Sequence, residues 1–451
     1  MRVKVSERSI KAMLERENVL YVQRNATSAQ HSEKSARNWL RGVPMHWMVD
    51  WGTPFPLFVN KAQGTTLTSV DGHEYVDFCL GDTGAMFGHS PPAIAETLAR
   101  EGARGLTTML PSEDAVEVGV LLEDRFGLPV WQITATASDA NRAVIRWCRA
   151  ITGRTKILIF NHCYHGCVDD TFIIADYGQV KMVEGLVGEP RDLTAFTKIV
   201  EFNDVEALEA ALKDEDVACV LAEPVMTNIG IVLPQPGYLE TLRTLTKSTG
   251  TLLILDETHT LSSGPGGYAR EHIIFPDGLV FGKPIAGGIP AAAYGFSADV
   301  AERIRTFLNH NGEGRSGIGT TLSGSRIQLA LIKTVLTTFF TQEAFAPLIV
   351  LARRLERGVA DVIIKYNLDW HVTRVGARVE FMCCPVPPRN GYEASQVIHQ
   401  PVDLAVHHYL LNRGVVITPF HNMMLVCPAT TEHDVERLLK ALDDCVGELT
   451  H

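Results

Sequence analysis

The run Leu252-Leu253-Ile254-Leu255-Asp256-Glu257 closes an apolar stretch with two carboxylates, and Gly282-Lys283-Pro284 follows in a second apolar, glycine-rich context. A short apolar run reads as a buried strand, and open α/β sheets place ligands at the C-terminal ends of their strands. A carboxylate there is costly unless a cation or proton donor meets it. Lys283, among Val280, Phe281, Ile285 and Ala286, is placed to act as a nucleophilic amine rather than a solvated charge. A lysine that forms a Schiff base and a carboxylate that keeps a ring nitrogen protonated are what a protein supplies to pyridoxal phosphate (PLP). Two other readings compete: an ion pair of Lys283 with Asp256, and a nucleotide phosphate loop. The second fails because one spacer residue is missing and Pro284 stands where a Ser or Thr would bind magnesium.

Three further groups converge on the same rim. Glu223 follows the apolar run Cys219-Val220-Leu221-Ala222 and precedes Pro224. Thr136-Ala137-Ser138 lies between the strand-like Val130 to Thr134 and a helical stretch from Asp139 to Ile151, so a helix N-terminus and two hydroxyls are available to a phosphate. An ordinary helix cap would look the same. Tyr164-His165-Gly166, just after Lys156 to Phe160, offers an aromatic face to a flat ring, or a structural tyrosine.

The elements that must hold these residues follow from pattern. Apolar runs at Val130 to Thr134, Lys156 to Phe160, Val217 to Ala222, Leu252 to Leu255, Gly278 to Phe281 and Ala291 to Phe296 alternate with helical stretches, predicting an α/β fold whose mostly parallel central sheet is covered by helices on both faces. Val70-Asp71-Gly72-His73-Glu74 marks a hairpin. The division expected is a stretch over 1–53 made of an N-terminal helical arm, suited to wrapping a partner surface, and part of the small domain, then a large cofactor domain over 54–323 and a smaller α/β domain over 324–451.

With 451 residues, 46% hydrophobic, the chain can bury a large core, and a net charge of −11 without basic stretches argues against nucleic acid. No apolar run reaches membrane-spanning length and the start is charged throughout, so the expectation is a cytoplasmic protein with no membrane partner. The nine cysteines show no paired metal-knuckle spacing at Cys163 and Cys167 or at Cys383 and Cys384, so no metal is expected.

Taken in order, Asp71-Gly72-His73-Glu74-Tyr75-Val76-Asp77-Phe78, Gly88-His89-Ser90, Tyr164-His165-Gly166, Glu223-Pro224, Asp256-Glu257, Gly282-Lys283 and Gly319-Thr320-Thr321-Leu322-Ser323-Gly324 resemble the class III aminotransferases of PLP fold type I, in the branch of glutamate-1-semialdehyde aminomutases and β-amino-acid or amine transaminases. The resemblance runs from about Pro54 to the C-terminus. It implies that Lys283 is the Schiff-base lysine and proton shuttle, Asp256 the partner of the pyridine nitrogen, Tyr164 a stacking ring, and Thr258 the group on the opposite ring face where the family usually has valine. It implies a phosphate cup at Thr136, Ala137 and Ser138, with alanine where the family has glycine. Thr321, or Thr320 beside it, would reach the phosphate from the neighbouring subunit of a homodimer.

The substrate region departs from the family. Relatives that handle amino acids often carry an arginine within the stretch that here reads Gly42 to Trp51, where it can clamp a carboxylate. This chain has His46, Trp47 and Met48 there, with Trp51 either a pocket wall or a core aromatic, and His421 in a C-terminal loop where some β-amino-acid relatives place arginine. Arg378 is the alternative clamp unless Glu380 pairs with it. The expected activity is ping-pong amino transfer from an amine, or an ω- or β-amino acid, to a carbonyl acceptor; an aminomutase and a noncatalytic interaction protein are the alternatives.

Overall fold

The computed structural model describes residues 5–188, 191–312 and 317–450. They form two compact units, one from the described residues of Met1–Pro91, Ala346–Pro387 and Val397–His451, the other from those of Pro92–Phe345 and Pro388–Gln396.

The second unit is built on a seven-stranded sheet in the order Val130–Thr134, Ala292–Phe296, Gly278–Phe281, Leu252–Asp256, Val217–Ala222, Lys156–Phe160, Thr197–Val200. Only Ala292–Phe296 runs against the rest. Every residue of Val217–Ala222 and Leu252–Asp256 is buried, as expected for central parallel strands covered on both faces. One cover is the helix Ala137–Thr152. Thr136 caps its start, Gly153 ends it in the left-handed region at φ +69°, and Ala140, Ala143, Val144, Trp147 and Cys148 form a 3.6-period face in one core with Ile157, Leu221, Ile254 and Val280. Each buried aliphatic side chain there contributes roughly 1.5–3 kcal/mol.

The first unit carries two sheets. In one, Val59–Gln63, Thr66–Ser69 and Glu74–Asp77 form the expected antiparallel hairpins, and Val415–Val416 adds in parallel to Glu74–Asp77. In the other, His371–Val375, Arg378–Met382 and Met423–Leu425 pair antiparallel.

Two expectations change. Residues 54–91 join the first unit, because their strands pair with Val415–Val416 from the C-terminal segment. Residues 324–345 join the second unit, because the helix Arg326–Thr338 packs on Pro92–Gly102 and Asp114–Phe126. The N-terminal helix Glu7–Arg24 buries Ile10, Met13, Glu17 and Tyr21 and packs on Gln400–Asn412 of its own unit, with the Tyr21 hydroxyl donating to the Phe55 carbonyl at 2.9 Å. That stripe seats the arm on the unit that also holds the C-terminal segment. The seventh strand, Thr197–Val200, escaped the sequence reading because only its two ends are buried.

Candidate active site

Six parallel strands share one direction, so their C-terminal ends meet at one edge, and Asp256, Lys283, Glu223, Tyr164 and Thr136 all stand at or just beyond such ends. Asp256 is 5% exposed and fully engaged. Its Oδ1 accepts from the Thr258 amide (3.1 Å) and hydroxyl (2.6 Å), and its Oδ2 lies 2.8 Å from Asn141 Nδ2 and 3.0 Å from His165 Nδ1. Burial works against the charge, but His165, Thr258 and Asn141 outweigh it and hold the carboxyl below its ordinary value. Burial also disfavours a charged His165, yet Cys163 and Asp256 raise that imidazole well above its usual range. The result is a buried carboxylate kept ionised, the state a protonated ring nitrogen requires.

Asn141 and His165 are functional neighbours that the sequence reading left without a role. Both were visible as polar residues beside assigned ones, but only the packing of the helix Ala137–Thr152 against the Tyr164-His165-Gly166 turn shows their target. Thr258 holds Asp256 through its hydroxyl, a bond that leaves the methyl group as the part available to a ring face.

Glu257, the second carboxylate of the strand end, does something else. Its oxygens accept from the amides of Tyr268 and Ala269 and from the Thr260 hydroxyl, tying down the short helix Gly267–Glu271. Burial pushes its pKa up to about 7 against the pull of those donors.

Lys283 opens a 3-10 turn, Lys283–Ala286, with its backbone in the left-handed region at φ +42°, a strained conformation for a side-chain-bearing residue. Gly282 before it is needed for close approach: a Cβ there would come 3.1 Å from that of Ala137. The Lys283 amine donates to Nε2 of His259, a 6%-exposed residue.

At the phosphate end both hydroxyls already have a partner. Thr136 Oγ1 accepts from the Asp139 amide (3.1 Å) and donates to the Asp139 carboxylate (2.8 Å), an N-cap in the ordinary sense. Ser138 Oγ accepts from the Cys167 amide at 2.9 Å, which leaves its O–H as a donor to an anion. The first turn of the helix adds its amides at Ala137 and Ser138, which lie at the positive end of the dipole. Gly166, at φ +81°, lets the Tyr164-His165-Gly166 turn pass against Ser138 where any Cβ would collide. Tyr164 is half-buried, and its amide donates to Glu223 Oε1 at 3.2 Å. Glu223 Oε2 also takes the Thr227 amide and hydroxyl and Asn228 Nδ2, and burial raises its pKa although His165 opposes the shift. Glu223 therefore anchors the turn that carries Tyr164. Thr320 and Thr321 lie on an exposed turn; Thr320 pairs with Ser323 at 2.9 Å, and among the described residues no hydrogen bond joins either threonine to the cradle.

The proposed substrate residues belong to the first unit. His46, Trp47 and Met48 form the 3-10 turn His46–Val49, and Trp47 stands edge-on to His46 (5.6 Å) and to Phe420 (5.8 Å). Trp51 packs against the cluster of Tyr21, Tyr75, Cys79, Leu411 and Val416, which makes it a core aromatic. Arg378 is 0% exposed in its strand, and its Nη2 donates to Thr83 Oγ1 at 2.6 Å. Glu380 instead carries His421, Nδ1 to Oε1 at 2.6 Å; burial opposes the imidazolium, but Glu380 raises its pKa. Asp77 and His89 of the hairpin motifs pair at 2.8 Å and hold the turn after Glu74–Asp77, whose amides at Cys79 and Leu80 also bond Asp77.

The second unit thus presents an ionised buried carboxylate, a lysine amine on a strained turn, a helix N-terminus with small residues, and a tyrosine turn held by a second carboxylate. That donor set fits pyridoxal phosphate. The family model "Aminotransferase class-III" matches residues 48–446. Glutamate-1-semialdehyde 2,1-aminomutase 2 of Brevibacillus brevis is 32% identical over 393 residues, 86% of this chain and 90% of the relative. A crystal structure of a glutamate-1-semialdehyde-aminomutase from Pseudomonas aeruginosa PAO1 superposes with a TM-score of 0.96 at 46% identity, covering 99% of both chains, and a variant of it was solved in complex with PMP. An omega-transaminase from Sphaerobacter thermophilus gives 0.88 at 25% identity, covering 96% of this chain and 100% of that one. The chain belongs to the class III aminotransferases, enzymes of PLP fold type I, and its cofactor is pyridoxal phosphate.

Proposed function

We propose that the chain is a transaminase for amines with apolar substituents, moving the amino group to a carbonyl acceptor in two half-reactions. The observation that carries this reading is the turn His46–Val49: it has no guanidinium, Trp47 is stacked edge-on between His46 and Phe420, and Met45, Met48 and Phe420 are 41%, 44% and 48% exposed. Such a surface suits an aryl or alkyl group better than a carboxylate. Arg378, the other candidate clamp, is fully buried on Thr83.

When bound, the cofactor supplies an electron sink for the negative charge that develops at the amine carbon. In this reading Lys283 Nζ would join the cofactor and, once displaced by the donor amine, would take the proton from that carbon and deliver it to the cofactor carbon that had borne the lysine, which is what leaves the amino group on the cofactor. Asp256 holds a proton on the ring nitrogen, the first turn of Ala137–Thr152 binds the phosphate, and Glu223 fixes the Tyr164 turn beside the ring. The test is a single half-reaction with an aryl-alkyl amine. Release of the ketone with formation of pyridoxamine phosphate supports the proposal; no ketone from any amine refutes it.

A second reading has a specific support in the 46% and 32% identities to aminomutases. In that case the amino group of glutamate-1-semialdehyde would change places with its carbonyl, so the product is an amino ketone and no deaminated ketone is released from an aryl-alkyl amine; the same assay separates the two.

We also infer a homodimer. Leu106, Met109 and Leu110 are 50%, 74% and 72% exposed, and Thr320 and Thr321 are exposed on their turn, as residues offered to a second copy would be in one chain alone. Light scattering should return twice the 49.6 kDa chain mass; a monomer with full cofactor occupancy would refute the shared site.

A further inference from the structure

We propose that His259 is the positioning partner of Lys283: its imidazole Nε2 accepts a hydrogen bond from the lysine amine and holds Nζ in place to receive the cofactor. The inference rests on the reading of Lys283 as the residue that joins the cofactor.

The contact is built into the sheet. Leu252–Asp256 and Gly278–Phe281 are adjacent parallel strands with Asp256 opposite Val280, and His259 and Lys283 each lie three residues past that register pair. Parallel neighbours leave the sheet at the same edge, so residues equally far beyond a paired position are delivered side by side. Both backbones are then fixed. The His259 carbonyl accepts from the Ser262 amide (3.3 Å) and hydroxyl (2.9 Å) in the turn Thr260–Ser263, and the ring is buried. Lys283 is held at φ +42° between Gly282 and Pro284.

The side chain between those fixed points is the loose part. Ordering a lysine costs rotamer entropy, part of which a buried hydrogen bond at its tip offsets. The chemistry of the acceptor matters as well. A carboxylate in that position would favour the ammonium form of any lysine beside it, whereas a neutral imidazole grips the amine with far less bias toward charge.

The test follows capture of the cofactor rather than turnover. Wild-type protein and the variants H259A, H259Q and K283A are stripped of cofactor, mixed with pyridoxal phosphate, quenched with borohydride at timed intervals and mapped by peptide mass spectrometry, with a thermal melt of each as a control for folding. Labelling of Lys283 should slow about ten-fold in H259A, the equivalent of one hydrogen bond to a charged or polar amine, at a nearly unchanged melting temperature. H259Q, which keeps an acceptor at similar reach, should recover most of the rate. If H259A does not fold, H259N, whose amide stops short of Nζ, replaces it. Labelling in H259A as fast as in wild type overturns the proposal, as does equal slowing in the alanine and glutamine variants. Label that misses Lys283 in the wild type is a separate result and removes the cofactor reading instead.

Discussion

His165 Nδ1 stands 3.0 Å from Asp256 Oδ2, and both side chains are buried. Removing one member of a buried pair strands the other, at a cost of about 3–5 kcal/mol. H165A should therefore lower the unfolding free energy by that amount, read as a lower urea midpoint at an unchanged slope. The pH dependence carries a sign. Asp256, with its pKa lowered, contributes stability above the ordinary carboxylate value of 3.8 that is lost as pH falls through the lowered value; His165, with its pKa raised, contributes stability below 6.5 that is lost as pH rises through the raised value. The gap between wild type and H165A should peak between those two ordinary values and narrow on either side.

Glu257 predicts the opposite slope. Its folded pKa of about 7 exceeds the ordinary 4.5, so between those values the folded state holds a proton that the unfolded chain has released. Stability should fall as pH rises across that window, by about 3 kcal/mol from this group. In E257Q, where nothing titrates, the decline should be missing from unfolding curves taken at successive pH values; an unchanged decline would place its origin elsewhere.

The placement of Asp256 and Lys283 at one sheet edge was legible before the structure because each stands at or just past the end of an apolar run, and such runs announce buried strands. Their immediate partners were not. Asn141 and His259 sit far from Asp256 and Lys283 along the chain or look like ordinary turn residues, and their roles depend on strand order and register. A register is set by which strands neighbour each other, and composition does not carry that. Thr136 and Ser138 have partners that spacing does not reveal either: Thr136 caps its own helix, and Ser138 takes the amide of Cys167 from a turn that packs beside it. The unit boundaries were hidden for the same reason, since Val415–Val416 pairs with a strand hundreds of residues earlier.

Gly166 combines φ +81° with a path that any Cβ would block at Ser138. G166A should cost about 1–3 kcal/mol by analogy with other strained backbone sites. Because the displaced turn carries Tyr164 and His165, cofactor should also dissociate faster, measurable as loss of absorbance on dilution. Adding S138G to G166A relieves the collision but not the dihedral strain, so a partial recovery of melting temperature is expected.

Arg378 is predicted to act on stability rather than on substrate choice. A guanidinium with no exposed surface, donating to Thr83 beside a turn in which Leu80, Asp82 and Thr83 all have positive φ, is part of how that turn is held. R378M should lower the melting temperature and leave the KM ratio of acidic to neutral amino donors within about two-fold of wild type, well under the factor of ten that losing a charge-assisted contact would produce. A large, selective rise in KM for carboxylate-bearing donors in a protein of normal stability would make it a clamp after all.

The apolar turn sets the last expectation. Trp47 is held edge-on by His46 and Phe420, an arrangement that keeps a broad ring face at a fixed angle at little entropic cost, since a tryptophan has only two side-chain torsions. If that ring recognises the substituent of the donor amine, W47A should raise KM for aryl-alkyl amines about ten-fold while small aliphatic amines change little, because only the larger group loses contact area. F420A should do the same more weakly, by freeing the Trp47 ring rather than by removing a contact. His46 offers the complementary experiment. H46R places a guanidinium in the turn, and a carboxylate-bearing donor should then gain in kcat/KM relative to the parent protein. If the aryl and aliphatic donors lose equally in W47A, and H46R leaves acidic donors unimproved, the turn His46–Val49 does not select the substrate.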